Sequence, residues 1–182
     1  MVETSSSSSV VFCATFAIAD LAFDALLTER GLARLVFSTD GRVERTAWIE
    51  RWEPHAEVVH DLQPFRALIA QLDAYFAGAQ PGFTVPLDLR GTPFQKEVWQ
   101  ALLQIPYGQV HTYGQLAEMI GRPQAARAVG AANGANPISI LVPCHRLVSS
   151  QGTLISYGGG VAMKRRLLNL EGVRLADSRL VT

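Results

Sequence analysis

The chain has 182 residues, 48% of them hydrophobic, with 16 Lys+Arg against 16 Asp+Glu. That is enough apolar material for two small lobes or one medium domain, and two cysteines without paired spacing exclude a disulfide scaffold or a thiolate zinc site. The neutral total hides a division: residues 1–88 carry 6 basic against 12 acidic side chains and residues 89–172 carry 8 against 3, so only the second part has the charge of a polyanion binder. Residues 1–9 are a serine-rich tail of low complexity, expected to be disordered. No basic segment precedes the apolar run Val10 to Ala19, so it lacks the form of a signal peptide. A membrane span needs about 20 apolar residues. The expectation is a soluble, intracellular protein that does not engage a membrane.

Val10 to Phe37 reads as strands of an antiparallel sheet, broken at Asp20 and Arg30-Gly31, with Asp40-Gly41 as a further turn. In the second run Leu21, Phe23, Ala25 and Leu27 alternate with Ala22, Asp24, Leu26 and Thr28, which predicts one better-buried face. Val43 to His60 is charged and irregular, packed down by Trp48 and Trp52. Cys13 lies in an apolar run and reads as core. Pro64 opens a helix with Leu68, Leu72, Tyr75 and Phe76 at helical spacing, and Gly78 ends it. These segments form a structural domain over 10–80, followed by a Pro- and Gly-rich linker at 81–90.

The second domain, 91–173, opens on Thr92-Pro93-Phe94-Gln95, a capping box with proline at the first helical position. Pro106-Tyr107-Gly108 is a turn, and Thr112-Tyr113-Gly114-Gln115 is a second capping box before a short helix bearing Leu116, Ala117 and Ile120. Gly121-Arg122-Pro123 breaks that helix. Gln124 to Asn133 follows as a helix of small residues with Arg127 near its start. Two short helices about a tight break have the form of a helix-turn-helix. Small side chains such as Ala126, Ala128 and Gly130 suit close approach to a backbone or a DNA groove. The last helix buries Met163, Leu167 and Leu170 and turns Lys164, Arg165 and Arg166 to solvent or phosphate. Residues 174–182 are a tail.

Between these helices Asn133-Gly134-Ala135-Asn136-Pro137 turns into Ile138 to Val142, a short apolar run of the kind that forms buried strands. It ends in Pro143-Cys144-His145-Arg146, which places a thiol, an imidazole and a guanidinium at the rim of a core. A free thiol has a pKa near 8.5 and is only a few per cent ionised at pH 7, so a nucleophilic Cys144 needs a base or neighbouring positive charge. Successive side chains of an extended segment face opposite ways, so His145 reaches Cys144 through a turn or a water. A carboxylate is expected behind the imidazole, and Glu171 is the best candidate. The four histidines show no ligand spacing, so no metal is expected. Tyr157-Gly158-Gly159-Gly160 suits close backbone approach to a flat ligand.

Gly91-Thr92-Pro93-Phe94-Gln95, Val98-Trp99, Ile105-Pro106-Tyr107-Gly108, Tyr113-Gly114-Gln115-Leu116-Ala117, Ala126-Arg127-Ala128-Val129-Gly130, Asn136-Pro137, Pro143-Cys144-His145-Arg146 and Glu171-Gly172 together resemble the C-terminal domain of the 6-O-alkylguanine-DNA alkyltransferases. The first domain resembles that family's N-terminal one more loosely. Ile18-Ala19-Asp20-Leu21 stands where the family commonly has a Pro-Leu-Gly hairpin, and Ile155-Ser156-Tyr157 where it often has Thr-Gly-Tyr. The resemblance implies an α/β (α+β) fold: a small antiparallel-sheet lobe, ribonuclease-H-like, and a helical lobe with a winged-helix-like helix-turn-helix.

By the same resemblance Cys144 takes the alkyl group irreversibly, His145 is its base through a water, Glu171 polarises the imidazole and Asn136 buttresses the thiol's segment. Tyr113 rotates the phosphate and assists the departing guanine, Arg127 fills the vacated place in the stack, and Ala126 and Gly130 line the minor groove. Backbone groups around Leu147 and Tyr157-Gly158 read the edge of the flipped base, with Asn133 also in contact with it. The implied partner is double-stranded DNA with an alkylated guanine, and 4-O-alkylthymine is a second possible lesion. No cofactor is implied. The expected state is a monomer in the cytoplasm, on the nucleoid in a bacterium or in the nucleus of a eukaryote. A non-catalytic helix-turn-helix lesion sensor and a thiol hydrolase are the rival readings.

Overall fold

Strand β1 (Val10–Ile18) turns back through Ala19 and Asp20 into β2 (Leu21–Thr28), and β3 (Gly31–Phe37) follows after one more turn. Ala19 and Asp20 both take positive φ, 47° and 65°, the two-residue hairpin geometry whose twist matches the strands it joins. The computed structural model describes residues 9–38, 42–80, 82–176 and 179–180. The serine-rich stretch before Ser9 and the expected Asp40-Gly41 turn lie outside the described residues.

The segment read as irregular is regular. It forms α1 (Arg42–Trp52) and β4 (Glu57–His60), and β4 pairs parallel to β1 in a four-stranded sheet of order β3-β2-β1-β4. Trp48, flanked by Ile49 and Trp52, covers Val11, Cys13, Leu26 and Ala33 on one face of the sheet. A lone apolar edge among charged residues hides such a helix from periodicity. Because α1 covers that face, β2 is buried on both sides, not one: Asp24 and Leu26 are as buried as Phe23 and Ala25. The buried Asp24 carboxylate is held by Arg45 at 3.5 Å and by the Thr15 hydroxyl.

On the opposite face α2 (Arg66–Phe76) lays Leu68, Leu72 and Tyr75 against Phe16 and Phe23. The Pro- and Gly-rich stretch then runs along the free edge of β3, where Leu32 donates to the Pro86 carbonyl and Asp88 to that of Leu32. Gly31 permits this approach: a Cβ there would lie 2.3 Å from the Pro86 oxygen. Asp88 is tied to Thr28 and Arg90, and Arg90 also pairs with Glu53, so the stretch is fastened to the first lobe.

The second lobe contains α3 (Pro93–Leu102), β5 (His111–Thr112), α4 (Tyr113–Met119), α5 (Ala126–Gly134), β6 (Leu147–Val148) and α6 (Gly160–Leu170). Both expected capping boxes form, Thr92 with Gln95 and Thr112 with Gln115. The turn between α4 and α5 uses Gly121 at φ 69°. Beyond α6, β7 (Leu175–Ala176) and β8 (Arg179–Leu180) pair as a short hairpin. One hydrophobic core runs from Phe16 and Leu35 of the sheet to Trp99, Ile140 and Leu167 of the second lobe. Among the described residues no helix is long and apolar enough to cross a membrane.

The expected strand at Ile138 to Val142 is absent. Ile138 makes an isolated parallel bridge with Leu35, and Ile140 sits at φ 71°. Leu141, Val142 and Cys144 then donate to the carbonyls of Ser139, Ile138 and Val142 in successive tight turns. The run is apolar because it is buried between the lobes, and burial alone does not distinguish a strand from a coil.

Candidate active site

Cys144 starts a single 3-10 turn, Cys144–Arg146, that follows Pro143. Asn136 builds the support for it. Its side-chain amide donates to the Val142 carbonyl at 2.9 Å and to Sγ of Cys144 at 3.0 Å, while its oxygen accepts from the Ile138 amide. These bonds replace the ladder that a strand would have supplied.

The thiol is 5% exposed, and burial raises its pKa above the ordinary value. The Asn136 hydrogen bond, the Lys164 charge and nearby backbone amides act in the other direction. Cys144 therefore rests as a thiol, and a base must take its proton when it reacts.

His145 is fully buried, and its Nε2 lies 2.8 Å from Oε1 of Glu171. Desolvation lowers the imidazole pKa despite that carboxylate, so the ring is neutral at rest. With Nε2–H donating to Glu171, Nδ1 is the ring's acceptor; it is buried and has no protein partner among the described residues. No direct hydrogen bond joins the imidazole to Sγ, in keeping with side chains that face different ways along the turn.

Glu171 caps the end of α6 and is the most heavily bonded side chain of the site. Its Oε1 accepts from Tyr75, His145 and Arg146, and its Oε2 from Arg146 and the Gly108 amide. Burial disfavours the charge, but the His145 and Arg146 hydrogen bonds outweigh it and hold the carboxyl at a pKa of about 2.

A cavity of about 250 Å³ opens over the thiol, lined by Gly130, Asn133, Gly134, Asn136, Ser139, Cys144, Ser156, Tyr157 and Gly158. Gly130 and Asn133 come from α5, so the second helix of the helix-turn-helix forms one wall. Ala126 and Arg127 lie on the first turn of that helix, Arg127 exposed. Tyr113 packs beside Gly130, its ring 3.7 Å from where a Gly130 Cβ would be. Leu147 does not line the cavity: its side chain is core and its backbone pairs with His111 in the β5–β6 pair.

Lys164 is the clearest departure from the sequence expectation. It is 0% exposed, and its ammonium donates to the Ile155 carbonyl at 3.0 Å. Burial lowers its pKa to about 8. The spacing could have marked it: position 164 lies three and four residues before Leu167 and Leu168, on the buried face of α6, whereas the expectation placed all of Lys164-Arg165-Arg166 outward by their charge. Tyr75, Ser139 and Ser156 also reach the site without a mark in the sequence; a tyrosine on the apolar stripe of a helix reads only as core.

Residues 93–173 match the family described as "6-O-methylguanine DNA methyltransferase, DNA binding domain", and residues 26–89 its "ribonuclease-like domain". The methylated-DNA–protein-cysteine methyltransferase of Mycobacterium tuberculosis H37Rv is 58% identical over 110 residues, 60% of this chain and 67% of that protein. Its namesake in Salmonella typhimurium LT2 is 60% identical over 106 residues, 58% of this chain and 62% of that one. The crystal structure of the M. tuberculosis O6-methylguanine methyltransferase superposes with a TM-score of 0.76 at 42% identity, over 92% of this chain and 96% of that one. The M. tuberculosis protein in complex with DNA gives 0.73 at 42% identity, over 88% and 92%. With its cysteine, imidazole and carboxylate all buried beside a helix-turn-helix, the chain belongs to the 6-O-methylguanine-DNA methyltransferase family.

Proposed function

We propose that the protein repairs DNA by moving the alkyl group of a 6-O-alkylguanine onto Sγ of Cys144, once per molecule. The bond between O6 and the alkyl carbon breaks as the bond from sulfur to that carbon forms. The thiol proton passes to Nδ1 of His145 through a bridging water, and the guanine oxygen leaves as an anion that is then protonated. The product is a thioether, which no group of the site hydrolyses, so the protein is consumed. The observation that carries this reading is the buried Cys144 on the floor of a cavity whose wall is α5, backed by the His145–Glu171 pair.

A base within duplex DNA is out of reach of a thiol at the bottom of a cavity, so the nucleotide has to be extruded, at a cost of a few kcal/mol. Arg127, exposed on the first turn of α5, is suited to fill the gap from the minor groove, with Ala126 and Gly130 small enough to let the helix approach. Tyr113, packed beside the cavity-lining Gly130, is the residue to turn the phosphate and supply a proton to the departing base. Asn133 and the Tyr157-Gly158 segment line the space the base would occupy. The Leu147 side chain is buried in the core, so any part in reading the base falls to the backbone around it. Two free thiols fit a reducing compartment such as the cytoplasm.

Intact mass spectrometry after mixing with a duplex carrying one 6-O-methylguanine tests the reading. The expected outcome is a stoichiometric gain of one methyl group, mapped to Cys144 and absent in Cys144→Ala. Unmodified protein that still binds the lesion tightly would make it a sensor instead.

A further inference from the structure

The relay behind the thiol is completed by a residue of the other lobe. Tyr75, on α2, is 1% exposed, and its hydroxyl donates to Oε1 of Glu171 at 2.8 Å across 96 positions of sequence. The ring is gripped by Phe76, Phe83 and Tyr107, with centroids 5.4, 5.8 and 6.1 Å away. The hydroxyl shares its acceptor oxygen with Nε2 of His145. We propose that Tyr75 is a positioning residue for alkyl transfer: by donating to Glu171 it sets the carboxylate's direction and limits its pull on His145. This rests on the relay described under Proposed function.

The physical reason is competition for one carboxylate. Glu171 accepts from Tyr75, His145, Arg146 and the Gly108 amide. Each donor stabilises the anion and reduces the charge left for the others. A carboxylate with too few donors would bind the imidazolium form of His145 too well, and a His145 that is already protonated cannot take the thiol's proton. Tyr75 donates without carrying charge, and next to Glu171 in the core its own pKa is driven far up, so it stays a donor throughout. The other groups facing the pair are Arg146, Tyr107 beside it, and Cys144, Lys164 and Tyr157 from the cavity side. Arg146 and Lys164 push the imidazole toward neutrality. Tyr75 adds to this from a lobe that otherwise supplies packing.

The test is the pH profile of single-turnover transfer from a duplex containing 6-O-methylguanine, for the full chain and for Tyr75→Phe, which keeps the ring. The acid limb of the profile is expected to move to higher pH by about half a unit or more, with lesion affinity, measured in a Cys144→Ala background, within about twofold of the parent. An acid limb that stays in place or moves down overturns the proposal, whatever the plateau does, because a purely packing role moves stability and not the limb. Should Tyr75→Phe fail to fold, 3-fluorotyrosine at position 75 is a stronger donor of nearly the same shape; it should move the limb to lower pH, and no movement overturns the proposal. Glu171→Gln is run beside them. Wild-type rates for Glu171→Gln would sink the relay and the proposal with it, whereas a slow Glu171→Gln beside an unmoved limb sinks the proposal alone.

Discussion

Lys164 shows how much a single residue can trade. A lysine whose pKa falls from 10.5 to about 8 on folding binds its proton less well in the native state than in the unfolded one. The cost is therefore present in full below pH 8 and is relieved as pH rises toward 10.5, amounting to about 3 kcal/mol at neutral pH. Lys164→Met should unfold at higher urea than the parent at pH 7, even after losing the hydrogen bond to Ile155, and the advantage should shrink by pH 10. A variant less stable than the parent at pH 7 would show that the ammonium is not a net cost. The same charge lowers the pKa of the Cys144 thiol, so the stabilised variant should transfer methyl more slowly. Glu171 has the opposite sign. Its pKa drops from 4.5 to about 2, so its contribution, about 3 kcal/mol, is whole above pH 4.5 and fades as pH falls toward 2. Glu171→Gln should flatten the acid arm of the stability curve in that window. Neither shift was readable in the sequence: Glu171 is legible there only as a carboxylate near the end of a helix, and Lys164 shares the helical face of Leu167 and Leu168, but the burial and hydrogen bonds that move the two pKa values belong to the tertiary packing.

At the scale of elements, legibility followed the presence of local chemistry. The capping boxes at Thr92 and Thr112 were evident because their partners sit three residues away. The helix-turn-helix followed from Gly121 and Pro123, which permit only a break there. Elements whose stability comes from elsewhere were not legible: α1 depends on the sheet face it covers, and 138–142 depends on Asn136 and on β3. The α5 helix carries its own prediction. If Arg127 acts only on the duplex, Arg127→Ala should slow transfer from duplex DNA by about tenfold or more, the worth of one displaced stacking contact. Transfer from free 6-O-methylguanine base, which needs no extrusion, should be unaffected. Equal slowing on both substrates would place Arg127 in the chemistry.

Over the whole molecule, the two lobes share one core and one carboxylate. The core is continuous from Phe16 to Leu167, and Tyr75 reaches Glu171 through it. Unfolding should accordingly be a single cooperative transition. Tryptophan fluorescence, which reports Trp48 and Trp52 in one lobe and Trp99 in the other, should coincide in urea with loss of transfer activity. Separate midpoints would mean that the lobes melt independently. The charge division seen in the sequence also belongs at this scale. The basic lobe holds the cavity and the helix-turn-helix, and the acidic lobe lies behind it.

The edge of β3 has a consequence for how the chain is made. Leu35 donates to the Pro137 carbonyl and accepts from the Ser139 amide, while Leu32 is paired with Pro86 and Asp88. During synthesis β3 emerges about a hundred residues before Pro137 and Ser139, so for that interval part of its backbone has no cover. Exposed strand edges invite pairing with other chains. The segment that carries Cys144 is thus also the closure of that edge of the sheet, and it is translated long after the strand it covers. A growing chain stays vulnerable to mispairing until its reactive cysteine arrives.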